Sequence, residues 1–131
     1  MHLEEKRGLS KARTARANDC LNSARVLLAA GDYKGAANRS YYAVFHAMRS
    51  VLAFDEIDMK HHSGIMSEFR RLYIKTGILD KSLSPIITAL FDIRQESDYD
   101  DFLVISKAEV EEQIANAEIF LNEIQKYLET K

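Results

Sequence analysis

A chain of 131 residues, 47% of them hydrophobic, is long enough to bury one core of respectable size and is read as a single domain over residues 1–131. Its formal net charge of -2 argues against a general polyanion-binding protein, and no stretch approaches the roughly 20 apolar residues needed to cross a bilayer. The single cysteine, Cys20, excludes an internal disulfide, and with no signal-like start the natural compartment is a reducing cytoplasm, with no membrane association.

One Pro and five Gly set against abundant Ala, Leu, Glu, Lys and Arg favour helix over sheet. The expected fold class is all-α: an up-and-down bundle of four main helices with a shorter fifth. The first helix is predicted from about Ser10 to Ala30, with Ala17, Cys20, Leu21, Ala24, Leu27 and Leu28 at spacings of three and four and Gly31 closing it. Lys6, Arg7, Lys11, Arg13, Arg16 and Arg25 make this end of the chain basic, whereas Glu109, Glu111, Glu112, Glu118, Glu123 and Glu129 make the last helix acidic. Two readings are open: solvated faces that pair with each other, or a nucleic-acid footprint on the basic side.

Asp32 can cap the second helix, which continues to about Phe54 and forms an antiparallel hairpin with the first. Within it Arg39 and His46 are seven residues apart, nearly two full turns, so both project from one line. Tyr41, Val44, Phe45, Met48, Val51 and Leu52 fall opposite. Beside Arg39 and His46 stand Ala36, Ala43, Ala47, Ser50 and Ala53, where a solvated face would carry Lys and Glu. That face is built to be covered, either by a second subunit, giving a homodimer through the Arg39/Ala43/His46 face, or by another helix of the same chain.

Asp55 to His62 reads as a loop, and a third helix from about Ser63 to Thr76 is stopped by Gly77. Ser84-Pro85 is a cap followed by proline at the first helical position, opening a fourth helix toward Arg94. The acidic stretch Glu96 to Ile105 is expected to lie between helices. Ser106-Lys-Ala-Glu109 is a capping box, and Val110, Ile114, Ala117, Leu121, Ile124 and Leu128 follow at alternating spacings of four and three.

The chain has no Gly-rich phosphate loop, nucleophile elbow or paired-cysteine zinc pattern, and no metal or cofactor is expected. Asp98, Asp100 and Asp101 lack the ligand spacing of a calcium loop, and His61 with His62 could join His46 on zinc only if their loop folded back. Arg39 with His46 is the stronger constellation. An imidazole can pass a proton near neutral pH, and a guanidinium can hold a phosphate or stabilise charge on a phosphorane, which together suffice for metal-independent RNA cleavage by attack of the 2'-hydroxyl on its own phosphodiester. The alternative from spacing alone is that Arg39 pairs with an acid such as Asp98 and His46 is a satisfied interface histidine.

Three segments, Asn38-Arg-Ser-Tyr-Tyr-Ala-Val-Phe-His46-Ala, His62-Ser-Gly-Ile-Met-Ser-Glu-Phe69 and Arg94-Gln-Glu-Ser-Asp-Tyr99, occur in that order. Together they resemble the HEPN domain, a nucleotide-binding helical domain of prokaryotes and higher eukaryotes, over about Ala12 to Leu128. The chain looks most like the small stand-alone prokaryotic branch, whose genes often lie beside a minimal nucleotidyltransferase. The resemblance implies a dimerising bundle of four or five helices with a cleft between protomers. It also implies, in many members, RNase activity from an arginine and a histidine separated by four to six residues, a spacing that Arg39 and His46 meet. In toxin-antitoxin pairs of the family a partner nucleotidyltransferase silences the RNase by adenylylating a tyrosine. The characterised RNases carry their pair later in the fold, where this chain has Arg94 and then Tyr99. The resemblance thus makes Arg39 and His46 the catalytic candidates. It makes Asn38, Tyr42, Arg49, His62, Arg94, Asp98 and Tyr99 candidates for nucleotide or RNA binding, with Arg94, Asp98 and Tyr99 as a polar cluster facing Arg39 and His46. The expected function is a toxin-like, metal-independent RNase paired with a nucleotidyltransferase; the alternative is a noncatalytic nucleotide-binding or adaptor subunit.

Overall fold

A computed structural model describes all 131 residues and contains five α-helices and no strand. These are α1 (Leu3–Ala29), α2 (Tyr33–Leu52), α3 (His62–Phe69), α4 (Leu83–Tyr99) and α5 (Lys107–Leu128), with a 3-10 turn at Ala53–Asp55 and a π-helical turn at Arg70–Ile74.

The hairpin between α1 and α2 is written locally. Gly31 adopts φ +82°, a conformation that costs a residue without Cβ little, and the amides of Gly31 and Asp32 return to the carbonyls of Leu28 and Leu27 at 3.0 and 2.9 Å. That Schellman closure hands the chain directly to Asp32, whose carboxylate accepts from the Gly35 amide at 2.9 Å and caps α2. At the other end of the chain the Ser106 hydroxyl accepts from the Glu109 amide at 3.1 Å while Glu109 reaches back to the Ser106 amide at 3.3 Å, so the capping box starts α5.

α2 is the central rod and packs against all four other helices. Its large residues Tyr41, Val44, Phe45, Met48, Val51 and Leu52 are buried, and so are Ala36, Ala43, Ala47, Ser50 and Ala53 on the small-residue side. A helix buried on almost every side is what an apolar and alanine-rich circumference requires. Ala17 and Ala24 of α1 are also buried, so two faces of small side chains allow the antiparallel pair to approach closely. Ser40 and Ser50 satisfy their hydroxyls within α2, donating to the carbonyls of Ala36 and Ala47 at 2.9 and 2.6 Å.

Three helices differ from expectation, one of them at both ends. α1 begins at Leu3 rather than near Ser10, because Glu4 and Glu5 in the first turn favour the helix dipole and no proline precedes Ser10, the one glycine there, Gly8, being accommodated within the helix. The third helix turns π-helical at Arg70–Ile74, and this wider turn accompanies Arg70 bonds to the Ser84 hydroxyl (2.9 Å) and Thr88 hydroxyl (2.6 Å) in α4. α4 has Ser82 at its N-cap position, with no side-chain cap bond, which puts Pro85 at its third position rather than its first. It also runs on through Glu96, Ser97 and Asp98 to Tyr99. Gln95 and Glu96 are good helix formers, no Gly or Pro interrupts them, and Arg94 bridges to Asp98 one turn on at 3.1 Å.

Tyr73, buried just after α3, donates its hydroxyl to Asp55 at 2.5 Å and so ties the π-helical turn to the 3-10 turn that follows α2. Tyr73→Phe is expected to lower stability by about 1 kcal/mol, measurable as a shifted urea midpoint with an unchanged slope.

Candidate functional site

Residues equally distant from Gly31 along the chain face each other across the α1–α2 hairpin. The register is fixed by Arg13, which donates to the Arg49 carbonyl at 3.0 Å, while the long Arg39 side chain reaches to 3.9 Å from the Cys20 sulfur, three residues off that pairing. It brings Arg16 opposite His46 and encloses a cleft of about 400 Å³ that His62, the first residue of α3, completes. Arg16, Cys20, Arg39, Tyr42, Phe45, His46, Arg49 and His62 line it.

Positive charge dominates this lining, which contains three guanidinium groups and no carboxylate. No acid lies within ion-pairing distance of Arg16 or Arg39; Arg39 instead spends its donors on the Asn38 side-chain oxygen (3.2 Å) and Cys20, with its guanidinium 5.1 Å from the Tyr42 ring centre. Asp98 pairs with Arg94 rather than Arg39. Asp58, at the rim, lies 3.3 Å from Arg49 and 3.4 Å from Arg13, so one carboxylate is divided between two cations. Arg13 itself is buried, not part of a solvated basic face, and only Arg25 to Glu118, at 3.2 Å, pairs α1 with α5 through side-chain charges.

His46 is 5% exposed and its Nδ1 lies 3.3 Å from an Arg49 nitrogen. Burial first, then the fields of Arg16, Arg49 and Arg39 and finally His62, push its pKa down to about 4, so the ring is neutral near pH 7. His62 is displaced in the same direction by burial, Arg94 and Arg49; its Nδ1 meets the Tyr41 hydroxyl at 2.9 Å and its ring centre lies 4.1 Å from that of Phe45. Burial raises the Tyr41 hydroxyl well above the ordinary tyrosine value and also raises the Cys20 thiol, against the fields of Arg39 and Arg16. The site can therefore hold an anion against the guanidinium groups of Arg16, Arg39 and Arg49, beside a neutral imidazole.

Of the residues singled out in the sequence, Arg39, Tyr42, His46, Arg49 and His62 share this cleft, and Asn38 braces Arg39 at its edge. Arg94 of α4 joins from behind Tyr42, donating to its hydroxyl at 3.2 Å and lying 5.6 Å from its ring centre. Tyr99 does not join: it is 85% exposed, so the polar cluster on α4 consists of Arg94 and Asp98 alone. Ala43 is 0% exposed within one chain, so the chain's own helices cover it without a second subunit. Arg16, Cys20 and Phe45 line the cleft although the sequence reading named none of them as site residues. Arg16 was readable, because the hairpin centred on Gly31 sets it opposite His46.

No helix is long and apolar enough to cross a membrane, and no three metal-ligating side chains converge. The sequence of residues 10–127 matches the HEPN domain family. A Thermotoga maritima chain named "UPF0332 protein" is 32% identical over 127 residues, covering 97% of this chain and 96% of its own length. Two Methanocaldococcus jannaschii chains, each bearing the name "Putative toxin", are 36% and 30% identical; they match 100% and 86% of this chain with 88% and 83% of their own lengths. With the match spanning α1 to α5 and relatives aligned over nearly their whole length, the chain belongs to the HEPN domain family.

Proposed function

We propose that the cleft between α1, α2 and α3 holds a phosphate of RNA or of a nucleotide, and that the protein is the RNA-cleaving, toxin-like member of a HEPN and nucleotidyltransferase pair. The observation that carries this reading is the set of three guanidinium groups, Arg16, Arg39 and Arg49, that faces one cavity with no carboxylate in its lining. Arg49 shares Asp58 with Arg13 while Arg16 and Arg39 have no acid partner, and the net positive charge left around a cavity of this size favours a ligand that brings its own negative charge. In metal-independent cleavage the 2'-oxygen attacks phosphorus as its proton passes to water, and the bond to the 5'-oxygen breaks as that oxygen takes a proton from water, leaving a 2',3'-cyclic phosphate and a 5'-hydroxyl; Arg39 and Arg49 offset the charge that builds on the phosphorane, and His46 contacts the phosphoryl group. Tyr42, beside the cleft and flanked by two arginines, offers a face on which a base can stack. The exposed Tyr99 hydroxyl is open to the partner enzyme and could receive a regulatory nucleotide.

One observation favours a noncatalytic adaptor instead: a histidine whose pKa is pushed down to about 4 is a weak base, so the cleft would then bind a nucleotide without cleaving it. Incubation with single-stranded RNA in EDTA separates the two. The cleavage reading predicts fragments from the wild type and at least about a hundredfold loss in both Arg39→Ala and His46→Ala. Intact RNA with every form, together with retained nucleotide binding, establishes the adaptor.

A further inference from the structure

We propose that Arg49 is a positioning residue that keeps the proton of neutral His46 on Nε2, so that the cleft presents an incoming phosphate oxygen with a hydrogen-bond donor. The inference starts from an asymmetry of donors. A guanidinium nitrogen can only donate, and one of Arg49 lies 3.3 Å from His46 Nδ1. Nδ1 must therefore supply a lone pair, and the single proton of the neutral ring is left on the other nitrogen. No hydrogen bond within the chain engages Nε2, although the ring lines the cavity. The second Arg49 nitrogen is held at 3.3 and 3.4 Å by the two oxygens of Asp58, and the Arg49 carbonyl accepts from the buried Arg13 at 3.0 Å. Arg13 also contacts Asp58 at 3.4 Å, so side chain and backbone of Arg49 are braced by the same neighbours. A fork held at both ends fixes the ring it touches.

The chemical consequence rests on the phosphate reading given above. An anionic phosphate oxygen is purely an acceptor and suits Nε2–H, whereas a 2'-hydroxyl waiting to lose its proton needs a bare nitrogen. In this arrangement His46 recognises the phosphate and does not deprotonate the nucleophile; that second task would require Arg49 to leave Nδ1 and the ring proton to relocate.

Long-range proton–nitrogen correlation spectra of uniformly 15N-labelled protein at pH 7, without ligand, test the assignment independently of any activity. The expected pattern is a pyrrole-type Nε2 and a pyridine-type Nδ1 in the wild type and in Arg49→Lys, which keeps a donor, and a loss of that single-tautomer pattern in Arg49→Met. Should Arg49→Met fail to fold, Asp58→Asn, which releases one end of the fork, is expected to move the pattern in the same direction. A proton found on Nδ1 of the wild type, or an Nε2–H pattern untouched in Arg49→Met or, where that variant does not fold, in Asp58→Asn, overturns the role of Arg49. Inorganic phosphate added to the wild type is expected to shift the Nε2–H signal. An unshifted signal with the Nε2–H tautomer intact overturns the phosphate destination and leaves the tautomer assignment standing.

Discussion

Replacing Ala43 with arginine is expected to leave no stably folded protein rather than to separate subunits. Ala43 has 0% exposure inside a single chain and lies on the stripe of small residues where α1 and α2 approach. Overpacking such a contact costs about 1–3 kcal/mol, and an unpaired charge carried into it adds several more even if the long side chain bends partly toward solvent. The sum is comparable with the roughly 5–15 kcal/mol that holds a domain of this kind together. Ala43→Ser, with a hydroxyl that can bond back to its own helix as Ser40 and Ser50 do, is expected to cost no more than about 1 kcal/mol. Thermal unfolding followed by circular dichroism checks both. A well-folded Ala43→Arg protein of smaller assembly size would return this face to a subunit seam.

Acid is expected to destabilise the fold through His46 before the carboxylates contribute. Folded, the ring stays neutral until about pH 4; unfolded, it takes a proton near the ordinary histidine value of about 6.5. Between those limits the unfolded chain binds more protons, so stability rises with pH there: the contribution is complete above about 6.5 and gone by about 4. A shift of that size corresponds to about 3 kcal/mol at most, and the open cleft screens some of it. His62, displaced in the same direction, adds to the effect. Urea midpoints at pH 7 and pH 4.5 should therefore fall much further for the wild type than for His46→Gln. Equal falls in the two proteins would mean that the ring is not held neutral by its burial and by Arg16, Arg49 and Arg39.

What the sequence made legible was whatever is decided within a few residues. Gly31 followed by Asp32 closes one helix and caps the next, and Ser106 with Glu109 opens α5, because in each the bonding partners are neighbours in the chain. The seven-residue spacing put Arg39 and His46 on one wall of α2, and both line the same cleft. Pattern alone also said that the small-residue face is covered; whether by α1 or by a second subunit depends on packing, which periodicity does not encode. Arg13 illustrates the same limit. Beside five other basic residues it reads as surface, yet its buried guanidinium bonds to Arg49 and Asp58, contacts that exist only once the hairpin closes. The acidic composition after Arg94 reads as a link between helices, but helix propensity carries α4 on through Tyr99 and leaves that aromatic ring exposed to solvent.

That the arginine-lined cleft is a receptor for RNA phosphate is tested most directly by fluorescence anisotropy with a short labelled single-stranded RNA across a salt series. Losing a charge-assisted contact should weaken binding by about tenfold or more and reduce the salt slope, so Arg16→Ala and Arg39→Ala are each predicted to do so. Arg25→Ala, which removes only the surface pair with Glu118, is predicted to bind as the wild type does. Wild-type affinity in both cleft variants, or an equal loss in Arg25→Ala, would contradict the assignment.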